Sequence, residues 1–142
     1  MSKIFGFIKP DNQNRLTNVA MLVLRIVAGL AMVYGHGFKK LMMIFGDEPI
    51  KFANPLGVGE EVTLYIAILA EFVCASLIVI GLFTRWATIP LMITMLVAAF
   101  LVNMSKGFGA MEMALLYFTI FLVIFLVGPG RFSLDHKLSG GK

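Results

Sequence analysis

Apolar residues fall along this chain in four long runs separated by short polar stretches. The runs extend from about Val19 to Leu41, Val62 to Leu82, Trp86 to Met104 and Met111 to Val127. Each approaches the roughly 20 residues that an α-helix needs to cross a bilayer. Backbone N–H and C=O groups in hydrocarbon must be satisfied within their own segment, so all four runs predict helices. The expected fold is all-α, an integral membrane four-transmembrane-helix bundle forming a single domain over residues 1–142.

The connections agree with that count. Residues 45–61 carry Asp47, Glu48, Pro49, Pro55, Gly57, Gly59, Glu60 and Glu61, a polar, turn-rich loop. Gly81-Leu82-Phe83-Thr84-Arg85-Trp86 and Ser105-Lys106-Gly107-Phe108-Gly109 read as tight turns between consecutive helices. Gly128-Pro129-Gly130 stops the fourth helix, Gly as its cap and Pro as a residue that cannot continue it. Ser133 is expected to cap a short surface helix reaching Lys137. Ahead of the first run, Ile4, Phe5, Phe7 and Ile8 alternate with Lys3 and Lys9. That pattern suits either a segment lying in the membrane interface or a partly ordered tail.

Composition strengthens the membrane reading. The 142 residues are 59% hydrophobic and only 14% charged, with a mean hydropathy of +0.91. A soluble core of this length could not hide so much apolar surface. The net charge of +4 comes mainly from residues flanking the runs, which reads as topology and contact with lipid headgroups. No basic run interleaved with aromatics is present, so nucleic acid is not an expected partner. Lys3, Lys9, Arg15, Arg85, Arg131, Lys137 and Lys142 lie on the side of the termini, against Lys39, Lys40, Lys51 and Lys106 opposite. That bias places both termini in the cytoplasm. The single cysteine, Cys74, offers neither an internal disulfide nor a redox pair and reads as a packing residue. A cleaved signal peptide is not expected, since the first run starts only at Val19 and more spans follow it.

The informative residues are the ionisable ones inside the runs. Arg25 and His36 are eleven residues apart, close to three helical turns, and are expected on one face. Counting along antiparallel neighbours puts Arg25 about 9 Å, Glu71 about 16 Å and His36 about 25 Å from the face where the first helix starts. A lone carboxylate at that depth is driven to pair. The expected arrangement is therefore an Arg25–Glu71–His36 network, with Lys39, Lys40 and Glu112 near its outer end. Such a polar seam either binds a polar head group, moves protons through Glu71 and His36, or is a structural ion pair that fixes helix register. Ala67, Ala70, Cys74 and Ala75 form a strip of small residues that lets another helix approach closely. No metal site is expected: His36 and His136 lie on opposite sides of the predicted membrane, and the methionines read as packing. Nucleotide-binding, hydrolase and zinc-protease motifs do not occur.

The motif order brings a family into view. Arg25, then His36-Gly37-Phe38-Lys39-Lys40-Leu41, Ala70-Glu71 and Gly81-Leu82-Phe83-Thr84-Arg85 resembles the DoxX family. So do Glu112-Met113-Ala114-Leu115-Leu116-Tyr117 and Gly128-Pro129-Gly130-Arg131-Phe132-Ser133-Leu134-Asp135. The resemblance implies a four-helix protein of the bacterial inner membrane. The family takes its name from a subunit of a thiosulfate:quinone oxidoreductase, and other members are tied to oxidative-stress membrane complexes. It marks Arg25, His36, Lys39, Glu71, Arg85 and Glu112 as motif positions. The resulting expectation is a membrane subunit that binds a quinone or similar lipid-like molecule for a redox partner. A quinone carbonyl would accept from His36 or Arg25, with Phe, Leu and Met around its tail. The alternatives are a non-catalytic assembly or anchoring subunit and a small transporter or proton path; the expected partners are membrane lipids and a membrane or redox protein, or further copies in a homo-oligomer.

Overall fold

The computed structural model describes residues 14–140; the expected interfacial segment around Ile4 to Lys9 lies outside them. Four long helices follow one another: α1 Arg15–Ile44, α2 Glu60–Ile80, α3 Thr84–Val102 and α4 Phe108–Val127. A short α5, Leu134–Leu138, follows. All four long helices have the length and hydropathy to cross a membrane, and the described residues contain no strand. Each long helix packs on the next and α1 closes on α4, giving an up-down-up-down ring. One end of the bundle carries the loop between α1 and α2 and the turn between α3 and α4. The other, here called the tail end, carries the start of α1, the α2–α3 turn and α5.

The termini of the helices shift from the apolar runs because polar caps lie outside those runs. Asn14 starts α1: its Oδ1 accepts from the Thr17 N–H at 2.8 Å and the Thr17 hydroxyl at 2.9 Å. Glu60 and Glu61 open α2, where acidic residues suit the positive end of the helix dipole. Gly81 ends α2 in the left-handed region, φ 74°. Its N–H and that of Leu82 both donate to Leu77 O at 2.9 Å. Gly128, φ 90°, ends α4 as expected. The Ser133 hydroxyl caps α5, accepting from the His136 N–H at 3.2 Å.

The core is largely apolar. Met32, Ala75, Ile78, Leu91, Ala99, Phe121 and Ile124 are fully buried and form one cluster through the middle of the ring. The outward faces are equally apolar, with Val27, Tyr34, Leu69, Phe100, Leu116 and Leu126 all exposed. A helix apolar on both faces belongs in lipid. The small strip on α2 does what its composition implies: Ala67, Ala70, Cys74 and Ala75 are all buried. Against it lies Gly29 of α1, where an added Cβ would come within 2.5 Å of Val79 Cγ2 and 3.2 Å of Ala75 O.

Three helices widen locally from α to π geometry, at Val33–Gly37 in α1, Leu69–Cys74 in α2 and Val97–Val102 in α3. In each the chain makes an i to i+5 bond, from Phe38 N–H to Val33 O, Ala75 N–H to Ala70 O, and Asn103 N–H to Ala98 O. Such turns cluster at functional sites because they re-aim side chains without breaking the helix. Those of α1 and α3 lie towards the end of the bundle that carries the α1–α2 loop, and that of α2 at mid-helix.

Candidate functional site

Where the three π turns come together, the ring opens into a cavity of about 420 Å³. Most of its wall is apolar, from Ile66, Ile93, Val97 and Met113 on the helices and Phe52 and Leu56 on the α1–α2 loop. Four ionisable side chains converge on it: His36, Lys40, Glu71 and Tyr117. The π turns of α1 and α2 touch at Gly37, where an added Cβ would lie 2.5 Å from Glu71 O and 2.8 Å from Phe72 N. Only glycine permits that approach. It brings Lys40 to Glu71, and the two form an ion pair. Glu71 is 3% exposed, whereas the Lys40 side chain retains 19% exposure towards the cavity mouth.

The aromatic side of the cavity is ordered by His36. Its ring meets Tyr117 edge-on, centroids 5.6 Å apart at 84°. Tyr117 stacks on the buried Phe121 at 6.0 Å. Neither the His36 ring nor the Tyr117 hydroxyl makes a hydrogen bond among the described residues. By contrast, the hydroxyls of Thr63 and Thr94 already donate within their own helices, to Gly59 O at 2.7 Å and Pro90 O at 2.8 Å. The loop forms one side of the mouth: Phe52 N–H donates to Glu60 Oε2 at 3.3 Å, and the Phe52 ring centroid lies 5.9 Å from Lys40 Nζ.

The expected Arg25–Glu71–His36 network is not what forms. Arg25 Nη2 donates to Phe132 O at 2.6 Å, and the guanidinium sits against Gly81 and faces Asp135. Gly81 lies ten residues beyond Glu71 on α2, about 15 Å of helix. The reason is side-chain direction. Helical side chains lean towards their own N-terminus. Arg25 on α1 therefore leans towards the tail end, while Glu71 on the antiparallel α2 leans the other way. Lys40, further along α1, leans back onto Glu71. Lys39 and Glu112, expected near the outer end, are exposed and neither lines the cavity. On α4 it is Ala110, Met113, Ala114 and Tyr117 that face it.

The tail end holds the remaining motif residues. The Asp135 carboxylate accepts from Phe83 N–H at 2.7 Å and Thr84 N–H at 2.9 Å, capping α3 from 51 residues away. Phe83 is thereby held at φ 48°, a left-handed conformation rare for a bulky side chain. The Asp135 N–H donates to Gly81 O at 2.8 Å. Arg131 N–H donates to the buried Asn18 Oδ1 at 2.7 Å, joining the tail to α1. Arg85 Nη2 reaches Leu126 O at 3.3 Å and packs against Gly128, next to the buried Pro129. The helix expected on the surface lies there, with Leu134, Lys137 and Leu138 exposed, and is pinned to the bundle through the buried Asp135. Asn18, Thr84, Phe52 and Tyr117 were not singled out from the sequence. For Tyr117 the signal was a polar-tipped aromatic inside an otherwise apolar run.

Together these observations define a small membrane-spanning helix bundle with a half-open, mostly apolar cavity of about 420 Å³ and a tail tied to the opposite end. A DoxX family signature covers residues 20–104, and the chain belongs to the DoxX family. It is similar to an uncharacterised membrane protein of Mycobacterium tuberculosis, 30% identical over 84% of this chain and 82% of the relative. It is also similar to an uncharacterised protein of Haemophilus influenzae, 32% identical over 89% of this chain and 96% of the relative. No solved structure matches it.

Proposed function

We propose that this protein binds a quinone or similar lipid-like molecule in the membrane and presents it to a partner oxidoreductase. The observation that carries the reading is the cavity, whose apolar wall surrounds two unspent hydrogen-bonding groups, His36 and Tyr117. In this scheme a flat ring packs against the cavity's aromatic side chains, its carbonyl accepting from His36 or Tyr117, with Ile66, Ile93 and Met113 along its tail. His36 in this scheme is a binding residue, not a source of electrons. With one cysteine in the chain, a thiol couple would have to come from the partner. The bundle sits in the bacterial cytoplasmic membrane with its tail end in the cytoplasm, a placement supported by the seven basic residues on that side against four opposite.

The test is binding of a short-chain alkyl benzoquinone to the full chain in lipid nanodiscs, followed by titration calorimetry. Replacing His36 with Leu or Tyr117 with Phe should each weaken binding about tenfold, the value of one hydrogen bond of about 1–1.5 kcal/mol. Unchanged affinity in both variants removes the cavity from the account. Purification from native membranes that yields neither a quinone nor an oxidoreductase would instead favour an anchoring role.

A further inference from the structure

We infer that the cavity selects neutral amphiphiles over anionic ones, and that the Lys40–Glu71 ion pair sets this selectivity. The inference rests on the binding reading above and adds the charge class of the ligand. Lys40 and Glu71 are the two charged residues among those lining the cavity, and each is committed to the other. Their formal charges cancel. A carboxylate or phosphate entering the cavity would have to share Lys40 with Glu71, setting two anions side by side on one cation. Beside the buried Glu71 that repulsion is screened less than at an open surface. Glu71 has nowhere to go: it is 3% exposed, and its backbone is clamped against Gly37. A neutral carbonyl or ether head asks nothing of the pair. It can accept from His36 or Tyr117, whose donors are unspent, while Thr63 and Thr94 are occupied. A membrane offers many anionic amphiphiles, so a cavity open to the bilayer needs a means of refusing them. Lys40 alone would attract them; Glu71 cancels that attraction.

Two probes with the same alkyl tail separate the possibilities: a decyl benzoquinone and decanoate, each titrated into the full chain in phosphatidylcholine nanodiscs. Wild type should bind the quinone at least about tenfold more tightly than the carboxylate. Glu71→Gln frees Lys40 and should raise decanoate affinity about tenfold while moving quinone affinity less than about threefold. Lys40→Gln with Glu71→Gln removes both the attraction and the repulsion, and should bind decanoate more tightly than wild type but less tightly than Glu71→Gln alone. Wild type binding both probes equally would overturn the selectivity and leave the cavity as a binding site. A Glu71→Gln chain that folds yet gains nothing for decanoate would overturn the role of the pair. Should the single variant fail to fold, Glu71→Ser repeats the measurement with a smaller neutral residue. Binding of neither probe by wild type would overturn the cavity reading together with this one.

Discussion

The bundle contains two buried charge clusters, one at each end, and they are built differently. At the tail end Arg25 is 1% exposed, touches backbone supplied from 107 residues away and leaves its Nε and Nη1 without hydrogen bonds. Its neighbours are a helix cap, a chain reversal and the C-terminal segment, all held in fixed geometry. At the cavity end Lys40 keeps access to the mouth, its partner comes from the adjacent helix, and open volume lies beside the pair. A charge with every direction closed serves the fold. One with a free direction beside a cavity can also serve a ligand. The difference explains why membrane-buried ionisable residues cannot be read as one functional class.

The comparison breaks most visibly at Asp135. Asp135→Ala removes two capping bonds and the acid facing Arg25 and should cost about 3–5 kcal/mol, the scale of an orphaned buried charge. Thermal unfolding in detergent would show it, and quinone affinity in the surviving folded fraction should not change. Loss of binding without loss of stability would mean that the two ends are coupled.

Gly37→Ala comes next. The new Cβ would lie 2.5 Å from Glu71 O, so α1 and α2 must separate, at about 1–3 kcal/mol for overpacking. Calorimetry should show quinone binding falling with it, because the same crossing holds the cavity. Within the Lys40–Glu71 pair the costs should be unequal. Lys40→Met strands a buried carboxylate and should cost about 2 kcal/mol. Glu71→Leu leaves a lysine able to extend to the boundary and should cost about 1 kcal/mol or less. Melting curves that rank the two the other way would contradict the burial difference. The smallest effect belongs to Thr84→Val: the Thr84 hydroxyl is fully buried without a hydrogen bond. Removing it should be neutral or stabilise by up to about 1 kcal/mol in the same melts.

Much of the fold was legible because lipid imposes a simple rule on sequence. Runs of about 20 apolar residues bounded by Gly, Pro and charge gave four helices and their turns, and Ser133 announced α5. The membership of the cavity-end cluster was also partly legible: His36, Lys40 and Glu71 were named, and all three line the cavity. Their pairing was not. Depth counted on Cα positions placed Glu71 between Arg25 and His36, but side chains several ångströms long lean towards their own helix starts and reverse that order. The π turns left no trace in an apolar pattern, since a uniformly apolar helix looks the same at either pitch. The role of Asp135 was hidden for another reason. A cap supplied from 51 residues away has no local signature, unlike Asn14, which caps the helix it adjoins.

The contact between Arg25 and Phe132 also sets an order of events in synthesis. Arg25 enters the membrane with the first helix, while the carbonyl it will use is still 107 residues from being made. At about 5–20 residues per second that interval is roughly 5–20 s. Throughout it, the guanidinium must be held by water, headgroups or the insertion machinery. The nascent bundle therefore passes through a stage in which every spanning helix is present and one charge still lacks its place. Quality control that inspects membranes for unpaired charge would see an unfinished protein until the last turn of chain arrives.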